Sequence, residues 1–459
     1  MTRIRVLVTL ALAALVGAAV PAIASAAVPK VPQSKFDVVE NCGCHTAFLE
    51  QWRTTMHSKA LVDPIYQLKL SEANRATNGA LGPFCETCHG PVAAMAGLVG
   101  KKGKSRSGSA AEAVSCDFCH QLTGTAMPPG NFSWRIDANG VKRAQLKDAL
   151  SPAHETAYSN YHEQAAFCGV CHNVNHPANG LPLEATYTEW SKSEYAKQGI
   201  TCQDCHMTPG AGVTKPNPGR ASGLGPERPH IYTMTWAGGN VGLGNAALAE
   251  ERLKGAATLE LEAQEIVEPG KKAEIAVTVV NSGAGHYLPT GLTDVRECWL
   301  QVTVTDAGGS KLVSERHDFN TVLADARGRF PAEVWDAVSV KSDTRIPPKG
   351  SKTFTSEYAM PQDGGVTVEA VLNYRSCSEK MAEEAGVKIP TTEMAKSVLA
   401  VFSSPEEAAA AEREAAARDG RNPDQGLKNL AIIAVIGLAA LFGVIGVTVL
   451  RARRTARGK

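Results

Sequence analysis

The sequence predicts a multidomain chain with a mainly helical, loop-rich front half, a β-sandwich behind it and a single transmembrane helix at the end. Three observations carry this. A five-residue pattern of two cysteines and a histidine occurs four times between residues 85 and 206, alternating apolar and polar residues set in near residue 258, and residues 430–450 carry no charge. Composition sets the outer bounds. With 47 basic against 46 acidic side chains in 459 residues, the chain is no strongly basic nucleic-acid binder. At 44% hydrophobic and with 12 Cys over this length, it is neither a disordered tail nor a small disulfide scaffold. The expected division is 1–27, 28–256, 257–402, 403–427, 428–450 and 451–459.

Residues 1–27 read as an export signal: Arg3 and Arg5 precede an apolar run, and Ala22-Ile23-Ala24 or Ala24-Ser25-Ala26 offers a small-residue cleavage site. Export places the cysteines in an oxidising compartment, where covalent haem attachment and disulfides both form.

The repeated pattern dominates residues 28–256. Cys85-Glu86-Thr87-Cys88-His89, Cys116-Asp117-Phe118-Cys119-His120, Cys168-Gly169-Val170-Cys171-His172 and Cys202-Gln203-Asp204-Cys205-His206 are four C-x-x-C-H sequences, the attachment signature of haem c. A chain of this composition holds about 0.008 such matches by chance. The chemistry fixes the spacing, because two thiols must reach the two vinyl groups on one porphyrin edge while the next residue turns its imidazole onto the iron. Zinc is the competing use of paired cysteines, but zinc knuckles rarely repeat one identical triplet. A fifth, non-standard copy is Asn41-Cys42-Gly43-Cys44-His45, in which Asn41 stands where the first thiol belongs. Three arrangements are open there: a haem held by Cys44 alone, one held by both Cys42 and Cys44, or none.

The proximal ligands are then His45, His89, His120, His172 and His206, which leaves seven of the 12 histidines. A second histidine on each iron keeps the potential low and keeps substrate off the metal. The distal candidates are His57, His154, His162, His176, His230 and His286, with His317 expected at the surface. His57 is expected on a helix leaving the first site, and His176 is too close to His172 to serve the same iron. Methionines 56, 95, 127, 207 and 234 are alternative ligands that would raise a potential, but packing is the expected use of each.

Residues 41–240 resemble the multihaem cytochrome c family that includes the nitrifier tetrahaem cytochrome and the haem cores of hydroxylamine oxidoreductase and octahaem tetrathionate reductase. The resemblance rests on the first site followed by Trp52 and His57, on Phe167-Cys168 with Asn173-Val174, and on Glu189-Trp190, Tyr195 and Gly199 leading into Cys202 and Met207. It implies a mostly helical domain with closely packed haems and His57 as a distal ligand. The sequence departs from the family at Asn41 and lacks a C-x-x-C-K motif.

From residue 257 to 402 the pattern becomes six strands beginning near Thr258, Ala273, Cys298, Lys311, Ser351 and Val366, separated by Gly, Pro and Asp turns. Their number and the length suit an immunoglobulin-like sandwich. The segment from Asn281 to Gly291, with Arg296 after it, resembles one found in β-domains fused to such cytochromes. His286 within it is either a ligand inserted toward the haems or a turn histidine. Cys298 and Cys377 are either a disulfide or two buried thiols.

Beyond the sandwich, Ser404 caps a helix with Pro405 at its first position and Glu407 three residues after the cap, running to Arg418. It has almost no large apolar residue and is expected as a solvated stalk. Residues 430–450 would form a helix about 31 Å long, against a hydrocarbon core of about 30 Å. Arg451, Arg453, Arg454, Arg457 and Lys459 then place the C-terminus in the cytoplasm.

The expected function is a membrane-anchored multihaem electron carrier of a respiratory chain, single-pass in the inner membrane with its bulk on the periplasmic side. Haem propionates would make the front domain acidic, suited to basic redox partners. A quinol-oxidising membrane subunit or a periplasmic reductase is the expected partner, and nucleic acid is not. The rival is a reductase or oxidoreductase of a small nitrogen or sulfur compound, with the first haem as the open-coordinate iron.

Overall fold

The structure is a computed structural model that describes residues 28–99, 106–292 and 294–418. Its front half is built from short pieces. The longest helix there, Pro64–Ala76, has 13 residues, is capped by Asp63, whose carboxylate accepts from Ile65 N–H, and starts on Pro64. Most others span four to eight residues, among them Thr46–Arg53, Gly82–His89, Cys116–His120, Ala166–Gly169 and Cys202–His206. Two- and three-residue ladders such as Val174–Asn175 with Pro182–Glu184 fill the gaps. Apolar side chains gather in separate small clusters, one around Phe36, Val92, Phe118, Leu122, Phe132 and Trp134, another around Val39, Leu49 and Trp52. Helices this short with divided cores are what a domain built around macrocycles requires, since the polypeptide alone buries too little apolar surface.

The second half has one continuous core. A three-stranded sheet orders Ser351–Ala359, Lys272–Val280 and Thr258–Ala263, and a four-stranded sheet orders Lys311–Asp318, Glu297–Asp306, Val366–Arg375 and Thr392–Val401. All neighbouring strands are antiparallel. Alternation sends Ile275, Val277 and Val279 inward from the first sheet to meet Leu300, Val302, Val304, Val368 and Leu372 from the second. The six expected strands are present within a few residues of their expected bounds.

Two features were not anticipated. Thr392–Val401 forms an edge strand although its Glu, Met, Ala and Lys residues favour helix, because pairing along the whole of Val366–Arg375 overrides that propensity. A hairpin of Thr321–Asp325 and Ala337–Asp343 leaves the sandwich and reaches the front half. There Asn179 Nδ2 donates to Ala337 O at 2.8 Å, and Lys69 pairs with Glu333 at 2.7 Å.

The helix Pro405–Arg418 forms with Ser404 as its cap, but it is not a free stalk. The Glu407 carboxylate reaches back to accept from Ser403 N–H and hydroxyl at 2.7 Å each and from Gly365 N–H at 2.8 Å, which docks the first turn on the sandwich. Cys298 and Cys377 are free thiols, Cys298 in the sandwich core and Cys377 in a separate cluster with Ile65, Val295 and Ala382.

The membrane placement is corrected. Among the described residues no helix is long and apolar enough to cross a membrane, so single-pass insertion in the inner membrane is not supported. Residues 1–27 and 428–459, on which the export and membrane expectations rested, lie outside the described residues.

Candidate haem-binding sites

Each motif presents its histidine in the same way. His45 Nδ1 meets Ala221 O at 2.6 Å, His89 Nδ1 meets Ala60 O at 2.9 Å, His120 Nδ1 meets Arg143 O at 2.7 Å and His206 Nδ1 meets Ala237 O at 2.9 Å. His172 Nδ1 meets a carboxylate oxygen of Glu184 at 3.0 Å. A carbonyl or carboxylate accepts, so Nδ1 carries the proton and Nε2 is left with its lone pair, the arrangement of a metal-ligating imidazole with its outer partner in place. Burial reinforces this at His206, whose pKa it lowers to about 4. At His172 burial is the largest single influence and pulls downward, but the hydrogen bond and charge of Glu184, with the Cys202 and Cys88 thiols, together outweigh it and raise the pKa to about 9.

Four of these rings face a second imidazole. Two imidazoles sharing one iron, each nitrogen about 2 Å from the metal and about 1.1 Å from its ring centre, have centroids about 6.2 Å apart. The observed separations are 6.3 Å for His45 and His154, 6.2 Å for His172 and His57, 5.9 Å for His120 and His162, and 6.3 Å for His206 and His286. These rings are too far apart to touch and are spaced for a metal between them. Among the described residues no three His, Cys, Asp or Glu side chains converge as a protein-only metal cluster would need. The donor set therefore fits haem.

Local structure explains each placement. His57 does not continue the helix Thr46–Arg53. Thr55 starts a new turn, Met56–Lys59, by accepting from Ser58 N–H, and His57 O accepts from Val114 N–H. Burial, with His172 and His89 nearby, lowers the His57 pKa to about 3, so the ring is neutral. His162 sits on the 3₁₀ turn Asn160–Glu163, with Nε2 against Cys119 O and a buried, unpartnered Nδ1. His286 comes from the sandwich. Its loop is clamped to the front half by Glu189, which accepts from Tyr287 N–H at 3.1 Å, Thr290 Oγ1 at 2.6 Å and Arg345 Nη1 at 2.6 Å.

Other expected ligands are placed differently. His176 Nδ1 accepts from Ala178 N–H while Nε2 meets Trp335 O, so both nitrogens are occupied. His230 Nδ1 accepts from Asn217 N–H, which puts the proton of a neutral ring on Nε2, and the ring lies edge-on to Tyr232. His317 stacks on Phe354 in the sandwich.

His89 is the exception among the motif histidines. Its ring is stacked on Tyr66 at 3.7 Å with 7° between planes, no second histidine faces it among the described residues, and Tyr66 Oη is buried without a partner. At the first site, where the rival reading places an open-coordinate iron, His45 faces His154.

At that first site, Val39–His45 is a 3₁₀ helix kinked at Cys42. Cys44 is exposed beside His45, whereas the Cys42 thiol meets the Cys116 thiol, which lowers the Cys42 pKa and raises that of Cys116. Two more thiol contacts join motifs, Cys88 to Cys171 and Cys168 to Cys202. The attachment edges of neighbouring motifs are therefore side by side.

The family described as cytochrome c554 and c-prime matches residues 41–121, which hold the first three attachment sequences. This match and the four full attachment sequences support a multihaem c-type cytochrome. A pentahaem cytochrome c552 from Thermochromatium tepidum is similar in fold, with a TM-score of 0.61 at 23% identity over 81% of this chain and 100% of that one. A CARDB domain from Pyrococcus furiosus is 17% identical over 32% of this chain and 85% of its own, with a TM-score of 0.18. A β-glucuronidase from Bacteroides uniformis is 9% identical over 32% of this chain and 14% of its own, with a TM-score of 0.17. A search of curated proteins gives no match.

Residues that sequence reasoning passed over are Tyr66, Glu184 and Arg345. Each acts across a turn or between domains, and nothing in its local sequence marks it.

Proposed function

We propose that this cytochrome is an electron carrier holding five haems, one on each of His45, His89, His120, His172 and His206, with Cys44 alone attaching the first. Bound haem supplies one-electron iron chemistry, and the polypeptide supplies ligation, spacing and burial. His154, His57, His162 and His286 close the sixth positions at the first, fourth, third and fifth motifs. The observation that carries this is the set of four imidazole pairs at 5.9–6.3 Å. The thiol contacts support close succession of the motifs, first with third, second with fourth and fourth with fifth. Basic redox proteins are the expected partners. The two antiparallel sheets, of three and four strands, support the reading of an immunoglobulin-like sandwich, whose role in this account is to deliver His286.

A second function is favoured by one observation. Among the described residues no second histidine faces His89, which sits beside the buried Tyr66 hydroxyl, so substrate reduction at the second motif, on a small nitrogen or sulfur compound, is the alternative. Electron paramagnetic resonance of the oxidised holoprotein separates the two. A carrier shows no spectral change on adding nitrite or hydroxylamine, and an enzyme shows a high-spin signal that either one perturbs.

A further inference from the structure

The five motif histidines are anchored alike except in one respect. His45, His89, His120 and His206 give their Nδ1 proton to a neutral backbone carbonyl, at 2.6–2.9 Å. His172 gives its proton to the carboxylate of Glu184, at 3.0 Å. Glu184 ends the strand Pro182–Glu184, which returns after the fourth motif and pairs Glu184 with Val174, two residues beyond His172. The ladder thus holds the carboxylate against the imidazole, and its side chain is only 16% exposed. The nearby cation, Arg296, is engaged elsewhere, donating to Ser376 O at 2.6 Å.

A full negative charge on the far side of an imidazole pushes electron density toward the metal more strongly than a carbonyl dipole does, because it raises the basicity of the ligating nitrogen. A more basic axial ligand favours the ferric over the ferrous state, and the largely covered Glu184 carboxylate is only weakly screened by water even though the His172 side chain is half exposed. The fourth motif is also where the others meet. Cys171 contacts Cys88 of the second motif and has Cys119 of the third beside it, and Cys168 contacts Cys202 of the fifth.

We propose that Glu184 is a tuning residue that makes the iron on His172 the lowest-potential site of the protein, placed at the junction of the attachment points. Electrons then reside at the outlying sites, where partners dock, and pass through the junction without accumulating there. This rests on the assignment of a haem to each motif.

The test is a redox titration of the full-length holoprotein, following individual low-spin signals by electron paramagnetic resonance, for wild type, Glu184→Gln and Glu184→Asp. Glutamine keeps an acceptor of the same shape and removes the charge. One signal, the lowest in potential, moves upward in Glu184→Gln by a tenfold or larger change in its oxidised-to-reduced ratio at fixed potential, equivalent to about 59 mV for a one-electron couple. Glu184→Asp restores part of the shift, and haem content by mass is unchanged. A Glu184→Gln protein with no shifted signal, or with all signals shifted equally, overturns the proposal. If that variant loses haem, His57→Met identifies the same iron independently, since a thioether ligand raises its potential. The wave that moves must be the lowest, and movement of any other overturns the inference while leaving haem assignment intact. A wild-type mass lacking haem on the fourth motif overturns both.

Discussion

Glu189→Ala removes the group that holds the two halves of the molecule together at the fifth site. The carboxylate is buried, with a side chain 6% exposed, and accepts from the Tyr287 amide, the Thr290 hydroxyl and the Arg345 guanidinium. Breaking a buried ion pair by deleting one partner costs about 3–5 kcal/mol, chiefly because the other charge is stranded. Arg345, however, keeps Asp343 at 2.8 Å, and Thr290 keeps Thr186 at 2.9 Å, so only the Tyr287 amide loses its acceptor outright. The cost therefore falls at the lower end, about 3 kcal/mol. Urea unfolding of the holoprotein followed by far-ultraviolet circular dichroism measures it, and haem spectra report whether the His286 loop stays seated. Glu189→Gln, which keeps an acceptor for the two neutral donors, should lose less. A loss below about 1 kcal/mol for Glu189→Ala, with the low-spin signals unchanged, would refute the clamp.

Three further outcomes are expected. His286→Ala removes the sixth ligand opposite His206, so one low-spin signal is replaced by a high-spin one while haem content by mass stays the same. Cys44→Ala lowers the holoprotein mass by one haem and Cys42→Ala does not, because the Cys42 thiol is turned toward Cys116. Glu407 is held below the ordinary carboxylate range by hydrogen bonds from the Ser403 hydroxyl, which more than offset its burial, together with the Ser403 and Gly365 amides. A lowered folded-state pKa gives stability that is present above the unfolded value of about 4.3 and lost as pH falls through the folded one. The hydrogen-exchange protection factors of the Gly365 and Ser403 amides, corrected for the intrinsic base-catalysed rate, should therefore be steady above pH ~5 and fall below pH ~4, and in Glu407→Gln they should lose this acid-dependent step.

What the sequence made legible follows from how far apart the interacting residues lie. The attachment chemistry confines two thiols and an imidazole to five consecutive residues, so the four full motifs and the altered Cys44-His45 copy stand out unaided. The sandwich was legible for a similar reason, because its inward alternation is local to each strand, although the Thr392–Val401 strand was hidden by helix-favouring residues. Distal ligation depends on tertiary structure. His154 meets His45 and His286 meets His206 only after the chain has folded back over long separations. His176 and His230 looked equivalent to them in sequence, and what distinguishes them is a backbone N–H donated to Nδ1 and, among the described residues, no motif histidine facing the ring. Tyr66 against His89 and Glu184 behind His172 are likewise contacts of the fold.

The account turns on covalently held haem at each of the five anchored histidines. Intact-mass measurement of the holoprotein, produced in a host able to attach haem c, tests this most directly. It should show the polypeptide plus five haems, retained after denaturation. A polypeptide carrying no covalent haem would contradict the account, and four would remove the site at Cys44 and His45.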